Sequence, residues 1–150
     1  MMKIYTTLFC VFVSVLVVRG FSDEDKAKIK EMIMEVGKEC IEQEKVTPED
    51  VEILKSHKMP ESHNGLCFYK CMLEGFGIMK DGKISRDGLI AAAKQVVGED
   101  QAKIDKVNTV ADHCAEVVGA GDSDPCVTAK MIVLCTHENR DKLGLDVMAM

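Results

Sequence analysis

The chain has 150 residues, a length that suits one domain, with 19 Lys and Arg against 25 Asp and Glu and a net charge of −6. That balance argues against nucleic acid, whose binding rests on basic residues neutralising phosphates, and against anionic membrane surfaces. Seven cysteines in so short a chain point to a disulfide-bonded or metal-bound domain rather than to a large apolar core.

Residues 1–20 read as a secretory signal peptide. Lys3 supplies the positive start, Leu8 to Val18 is apolar apart from Ser14, and Val18 and Gly20 are small enough for the cleavage site. The run is short for a membrane span, which needs about 20 apolar residues. Cleavage after Gly20 leaves residues 21–150, 130 in number, as a secreted, extracellular chain. Losing Lys3 and Arg19 leaves 17 basic residues against 25 acidic ones, a net −8 that favours a soluble chain without stable membrane insertion, as a monomer or weak homodimer.

The remainder reads as helices with short punctuation. A first helix runs from about Ser22 to Glu44, with Ile29, Ile33, Val36 and Cys40 at helical spacing. A second begins at Thr47-Pro48, cap followed by proline at the first helical position, and fades near His57. Ser56 to Gly65 has the composition of a loop, and a third helix then holds Leu66, Cys67, Cys71, Met72 and Phe76. Asp81-Gly82 marks a turn. A fourth helix starts at Ser85 and stops at Gly98, a fifth runs from about Asp100 to Val118, and Asp124-Pro125 opens a sixth through Cys135. A tail from His137 to Met150 follows.

Several patterns invite a chemical reading and do not sustain it. KDGKISRDGL looks like half of a calcium loop, with Asp81, Gly82 and Ile84 at positions 5, 6 and 8, but Gly77, Met79 and Gly88 then occupy positions that need oxygen ligands. His63, Cys67 and Cys71 have helical spacing for zinc, yet an oxidising compartment and the lack of paired CxxC favour disulfides. No nucleophile elbow, HExxH or phosphate loop appears, so neither an enzyme nor a cofactor is expected. Of His57, His63, His113 and His137, His113 beside Cys114 is expected to be the most enclosed; the plain reading is exposed histidines with no pH switch.

Cys10 falls in the leader, so six cysteines remain, separated by 26, 3, 42, 11 and 8 residues. Cys67 and Cys71 lie on one face of one helix, with Cα–Cβ vectors too parallel to pair with each other, so each should reach a different helix. Fifteen pairings stay open on this ground alone. The spacing C-x26-C-x3-C-x42-C-x11-C-x8-C, behind a signal peptide in an acidic helical chain, resembles the six-cysteine pheromone and general odorant-binding proteins of insects.

The resemblance implies an all-α fold of six disulfide-linked helices around an apolar cavity, plus a C-terminal tail. It implies the pairs Cys40–Cys71, Cys67–Cys126 and Cys114–Cys135. It further implies a carrier that binds and solubilises a small hydrophobic ligand, such as an odorant or pheromone, and that delivers it to a chemosensory receptor. Met72, Phe76, Leu89, Val107, Val110, Met131 and Val133 are candidates for the cavity wall, with ordinary core packing as the alternative for each. The eight methionines outside the leader suit an adaptable pocket. The tail, with Leu143, Leu145, Val147 and Met148, is expected to fold over the pocket as a lid, or to fray. Two rivals remain: the same fold as a non-olfactory carrier of lipids or hormones, and a membrane-interacting secreted helical effector.

Overall fold

A computed structural model describes residues 23–143. The elements are α1 Asp23–Gln43, α2 Pro48–Lys55, α3 His63–Gly75, the strands β1 Met79–Lys80 and β2 Lys83–Ile84, α4 Arg86–Val97, α5 Gln101–Val118, α6 Pro125–Glu138 and the single turn α7 Arg140–Leu143. The proposed leader and the tail beyond Leu143, Leu145 included, lie outside the described residues.

Five helices start where a short polar side chain can accept a hydrogen bond from the first turn. Thr47 accepts from the Asp50 N–H, Ser62 from Gly65, Ser85 from Gly88, Asp100 from Lys103 and Asp124 from Cys126. The third of the expected helices begins earlier than its composition indicates, at His63 rather than after Gly65. Ser62 caps it, and its hydroxyl also donates to Asp50 Oδ2 at 2.6 Å. Thr47 Oγ1 donates to the same oxygen at 3.0 Å. Asp50 is 4% exposed, so one buried carboxylate ties the start of α2 to the start of α3.

The Asp81-Gly82 turn is the tip of a two-residue antiparallel hairpin, which strand-free reading of the sequence omits. Both residues have positive φ, 52° and 74°, the geometry that lets a two-residue loop match strand twist. The hairpin pairs Met79 with Ile84 and delivers Met79, 2% exposed, into a core with Val118, Ala129 and Ile132. It also replaces any calcium loop, because Ser85 leaves the hairpin as the cap of α4. Gly88, in the first turn of α4, lies against the Gly77 carbonyl: a Cβ at this position would stand 1.7 Å from that oxygen. Only glycine allows the approach.

Three disulfides join these helices: Cys40 of α1 to Cys71 of α3, Cys67 of α3 to Cys126 of α6, and Cys114 of α5 to Cys135 of α6. These are the pairs that the resemblance implies. The Cα–Cα distances are 5.6, 4.6 and 5.8 Å, within the range a disulfide spans. The bonds thus form a series α1–α3–α6–α5, and α3 packs along α6 at its centre. α4 has no cysteine and is held by apolar packing of Ile90 and Val97 against Val107 and Ala111 of α5. Arg86 of α4 also pairs with Asp112 of α5.

If Asp50 organises the α2–α3 corner, Asp50→Ala should cost about 2–3 kcal/mol in chemical denaturation, because the hydrogen bonds that Thr47 and Ser62 donate to its buried carboxylate are lost. Glu52→Ala, at an exposed ion pair of the same helix, should change stability by less than about 0.5 kcal/mol.

Candidate ligand-binding cavity

The helix series leaves an open space between α1, the end of α3, α4 and α5. Its volume is about 340 Å³, which falls in the size range of small-molecule sites. α1 forms one wall with Ile29, Met32 and Ile33. The end of α3 and the chain beyond it contribute Gly75, Phe76 and Ile78. α4 contributes Leu89, Ala92, Ala93, Gln95 and Val96, α5 contributes Val107 and Val110, and α6 contributes Thr136. Among the described residues the wall is apolar apart from Gln95 and Thr136, and no lining side chain is charged.

Four residues proposed from the sequence therefore come together here: Phe76, Leu89, Val107 and Val110. Three others do not. Met131 packs against the core of Met79, Val118, Ala129 and Ile132 and does not line the cavity. Met72 faces α1, its Sδ 4.0 Å from where a Gly37 Cβ would stand, and fills the α1–α3 crossing. Val133 is partly buried on α6 but does not line the cavity, which takes Thr136, three positions further along, from the described part of that helix. Leu145 lies outside the described residues. The reason is rotational: helical spacing identifies the apolar stripe, whereas helix crossing decides which part of it meets a neighbour and which meets the void.

The α1 wall went unassigned, although its signal was present. Ile29 and Ile33 lie on the stripe that the sequence marks as apolar, and Met32 widens it. In the structure Met32 and Ile33 remain 38% exposed, too open for core residues, because they border a space rather than a packed neighbour. Ala93 belongs to the apolar stripe of α4 with Leu89, Ile90 and Val97, while Ala92 gave no sign beyond small size, which is what leaves room.

The charged groups lie elsewhere. His57, His63, His113 and His137 are all exposed, and none lines the cavity. His113 was expected to be enclosed by its neighbour Cys114; one residue along α5 is a rotation of about 100°, enough to carry it from the buried face to solvent. His63 Nε2 lies 2.9 Å from Asp124 Oδ2. The backbone N–H of Cys126, followed by His63, holds the Asp124 carboxyl below the ordinary carboxylate range. The Arg86 guanidinium does the same for Asp112. His63, Cys67 and Cys126 cluster tightly enough for a metal ion, but the two sulfurs are bonded to each other, and a disulfide presents no thiolate ligand.

Comparison with known proteins agrees with this architecture. The PBP/GOBP family model matches residues 22–139. The chain belongs to that family. General odorant-binding protein 19d of Drosophila melanogaster is 30% identical over 114 residues, which cover 75% of each protein. Among solved structures, odorant-binding protein dmelOBP28a of Drosophila melanogaster superposes with a TM-score of 0.65 at 24% identity, over 80% of this chain and 98% of that one. The fatty acid binding protein OBP56a from the oral disk of the blowfly Phormia regina superposes with a TM-score of 0.59 at 27% identity, over 81% and 96%. The all-α, disulfide-linked odorant-binding fold is the fold of this protein, and its family is one of carriers for small hydrophobic molecules.

If this cavity is the binding space, Ala92→Phe should fill it and weaken binding of a neutral fluorescent probe at least tenfold, roughly the loss of two buried methylenes, with little change in melting temperature. Met131→Ala should do the reverse, lowering stability by about 1–2 kcal/mol through a core void while leaving probe affinity unchanged.

Proposed function

We propose that this protein is a secreted carrier that holds a small hydrophobic odorant or pheromone in the cavity between α1, α4 and α5, and that binding and release are its whole mechanism, without covalent chemistry. The observation that supports this most directly is an uncharged, apolar space of about 340 Å³ inside a frame of three disulfides. An apolar void is costly to a folded protein, since its lining forfeits packing contacts, and covalent ties between helices offset that cost. In the chain-entropy account each of these disulfides contributes about 3–4 kcal/mol.

The driving force is removal of hydrocarbon from water. At ~0.8 kcal/mol per buried CH₂, an eight- to ten-carbon chain gains roughly 6–8 kcal/mol before immobilisation costs, which corresponds to micromolar affinity at best. That is a useful strength for a carrier, which must also let go. The relative from the blowfly is described as a fatty acid binding protein, in keeping with ligands built on a hydrocarbon chain.

On this reading residues 1–20 are removed as a signal peptide, and residues 21–150 act extracellularly as a monomer or weak homodimer. Among the described residues no helix is long and apolar enough to cross a membrane. Delivery to a chemosensory receptor is the corresponding final step.

The test is competition by a panel of volatile apolar compounds against a fluorescent apolar probe. Displacement by at least one class of volatile is expected; a mature chain that binds no probe would contradict the carrier reading. Affinity should change by less than about twofold between pH 7 and pH 5. Among the described residues no titratable side chain lines the cavity. Asp112 and Asp124 are held below the ordinary value of 3.8, so whatever stability they contribute is present above that value and lost only as pH falls through their lowered folded pKa. A loss of affinity near pH 6 would point to a histidine device outside this account.

A further inference from the structure

The cavity carries a polarity as well as a shape, and that polarity bears on the class of ligand. Of its fourteen lining residues, only Gln95 and Thr136 have polar side chains. Gln95 sits exposed on α4, where water competes for its amide. Thr136 is partly buried, and its hydroxyl is already engaged. Oγ1 lies 2.9 Å from the Ile132 carbonyl oxygen and 3.0 Å from that of Val133, donating back into α6. A threonine hydroxyl has one proton and two lone pairs. With the proton committed to the helix backbone, what Thr136 has left for the cavity is an acceptor.

The end of α3 adds to this. Gly75, its last residue, and Phe76, its C-cap, both line the cavity. The C-terminus of a helix carries partial negative charge, which favours hydrogen-bond donors and disfavours anions. Among the described residues no Lys, Arg or His lines the cavity to compensate a carboxylate. An anionic head group would there meet an acceptor and a negative helix pole with no described cation beside them.

We propose that the cavity selects neutral ligands that carry a hydroxyl group on an apolar chain, and that Thr136 is the specificity residue, its Oγ1 accepting the ligand's O–H. This rests on the carrier reading above and narrows it. Aldehydes, ketones, esters and ethers offer only acceptors and leave Thr136 facing one. An ionised fatty acid is disfavoured further.

The test uses the mature chain with N-phenyl-1-naphthylamine as displaceable probe and three competitors of equal chain length, 1-decanol, decyl methyl ether and decanoate, at pH 7. In the wild type the alcohol should compete about three- to tenfold better than the ether, the worth of one neutral hydrogen bond, and decanoate should be weakest. Thr136→Val, which keeps the shape and removes the acceptor, should bring the alcohol down to the ether without moving the ether. Thr136→Ser should retain the preference. Equal competition by alcohol and ether in the wild type, decanoate matching the alcohol, or a preference that survives Thr136→Val would each overturn the proposal while leaving the carrier reading intact. If Thr136→Val does not fold, the wild-type order of the three competitors decides. If the probe finds no site in the wild type, the carrier reading falls and this proposal with it.

Discussion

Two cysteines one helical turn apart, unable to bond to each other, set the geometry of this protein. Cys67 and Cys71 share a face of α3, and each must find its partner on another helix. Cys71 reaches Cys40 of α1, Cys67 reaches Cys126 of α6, and α6 then holds α5 through Cys135 and Cys114. α3 is therefore the fixed member, clamped on both sides. The one long helix that has no cysteine, α4, is held by softer means: the Arg86–Asp112 pair, a patch of apolar contacts with α5, and the glycine at position 88 that admits the Gly77 carbonyl. The cavity opens between this helix and α1, where the covalent frame does not force close packing.

Packing and function are linked by that incompleteness. Burying apolar surface stabilises a fold in proportion to the area removed from water, and a small domain has little of it to spare. Here part of the apolar surface of α1, including Met32 and Ile33, stays uncovered. A protein that relied on its core alone would be expected to close over such a surface. The disulfides make the open arrangement tolerable, so that a ligand rather than a neighbouring helix completes the packing. The hairpin supports this by delivering Met79 into a dense core with Val118, Ala129 and Ile132, against which the cavity residue Ile78 also packs.

Much of the fold was legible because its boundaries are written in local chemistry. Thr47-Pro48, Ser85, Asp100 and Asp124-Pro125 each act within one turn of themselves, and Asp81-Gly82 needs no distant partner to form its turn. The early start of α3 was hidden by the loop-like composition around it, although Ser62 caps it locally by accepting from the Gly65 N–H; its tie to Asp50, twelve residues away, carries no local signal. The cavity was only partly legible, because it depends on contacts between distant segments. Phe76, Leu89, Val107 and Val110 face it, but periodicity gives the same weight to Met72 and Met131, which the helix crossings turn into α1 and into the core. Ile29 and Ile33 read as core and prove to be wall. Which apolar residue packs and which lines a void depends on where the disulfides place the helices, and spacing does not report that.

The central claim is that the covalent frame holds α1 in place as a wall of the binding space. It is tested most directly by removing the one bond that fixes α1, with Cys40→Ser and Cys71→Ser together, and measuring the affinity for a neutral apolar probe alongside far-ultraviolet circular dichroism. The remaining two disulfides should keep α3, α5 and α6 helical. Freed from α3, α1 should cease to cover the ligand, forfeiting more than ~1.4 kcal/mol of apolar burial and weakening the probe at least tenfold. Unchanged affinity in a variant that has lost this bond would contradict the account.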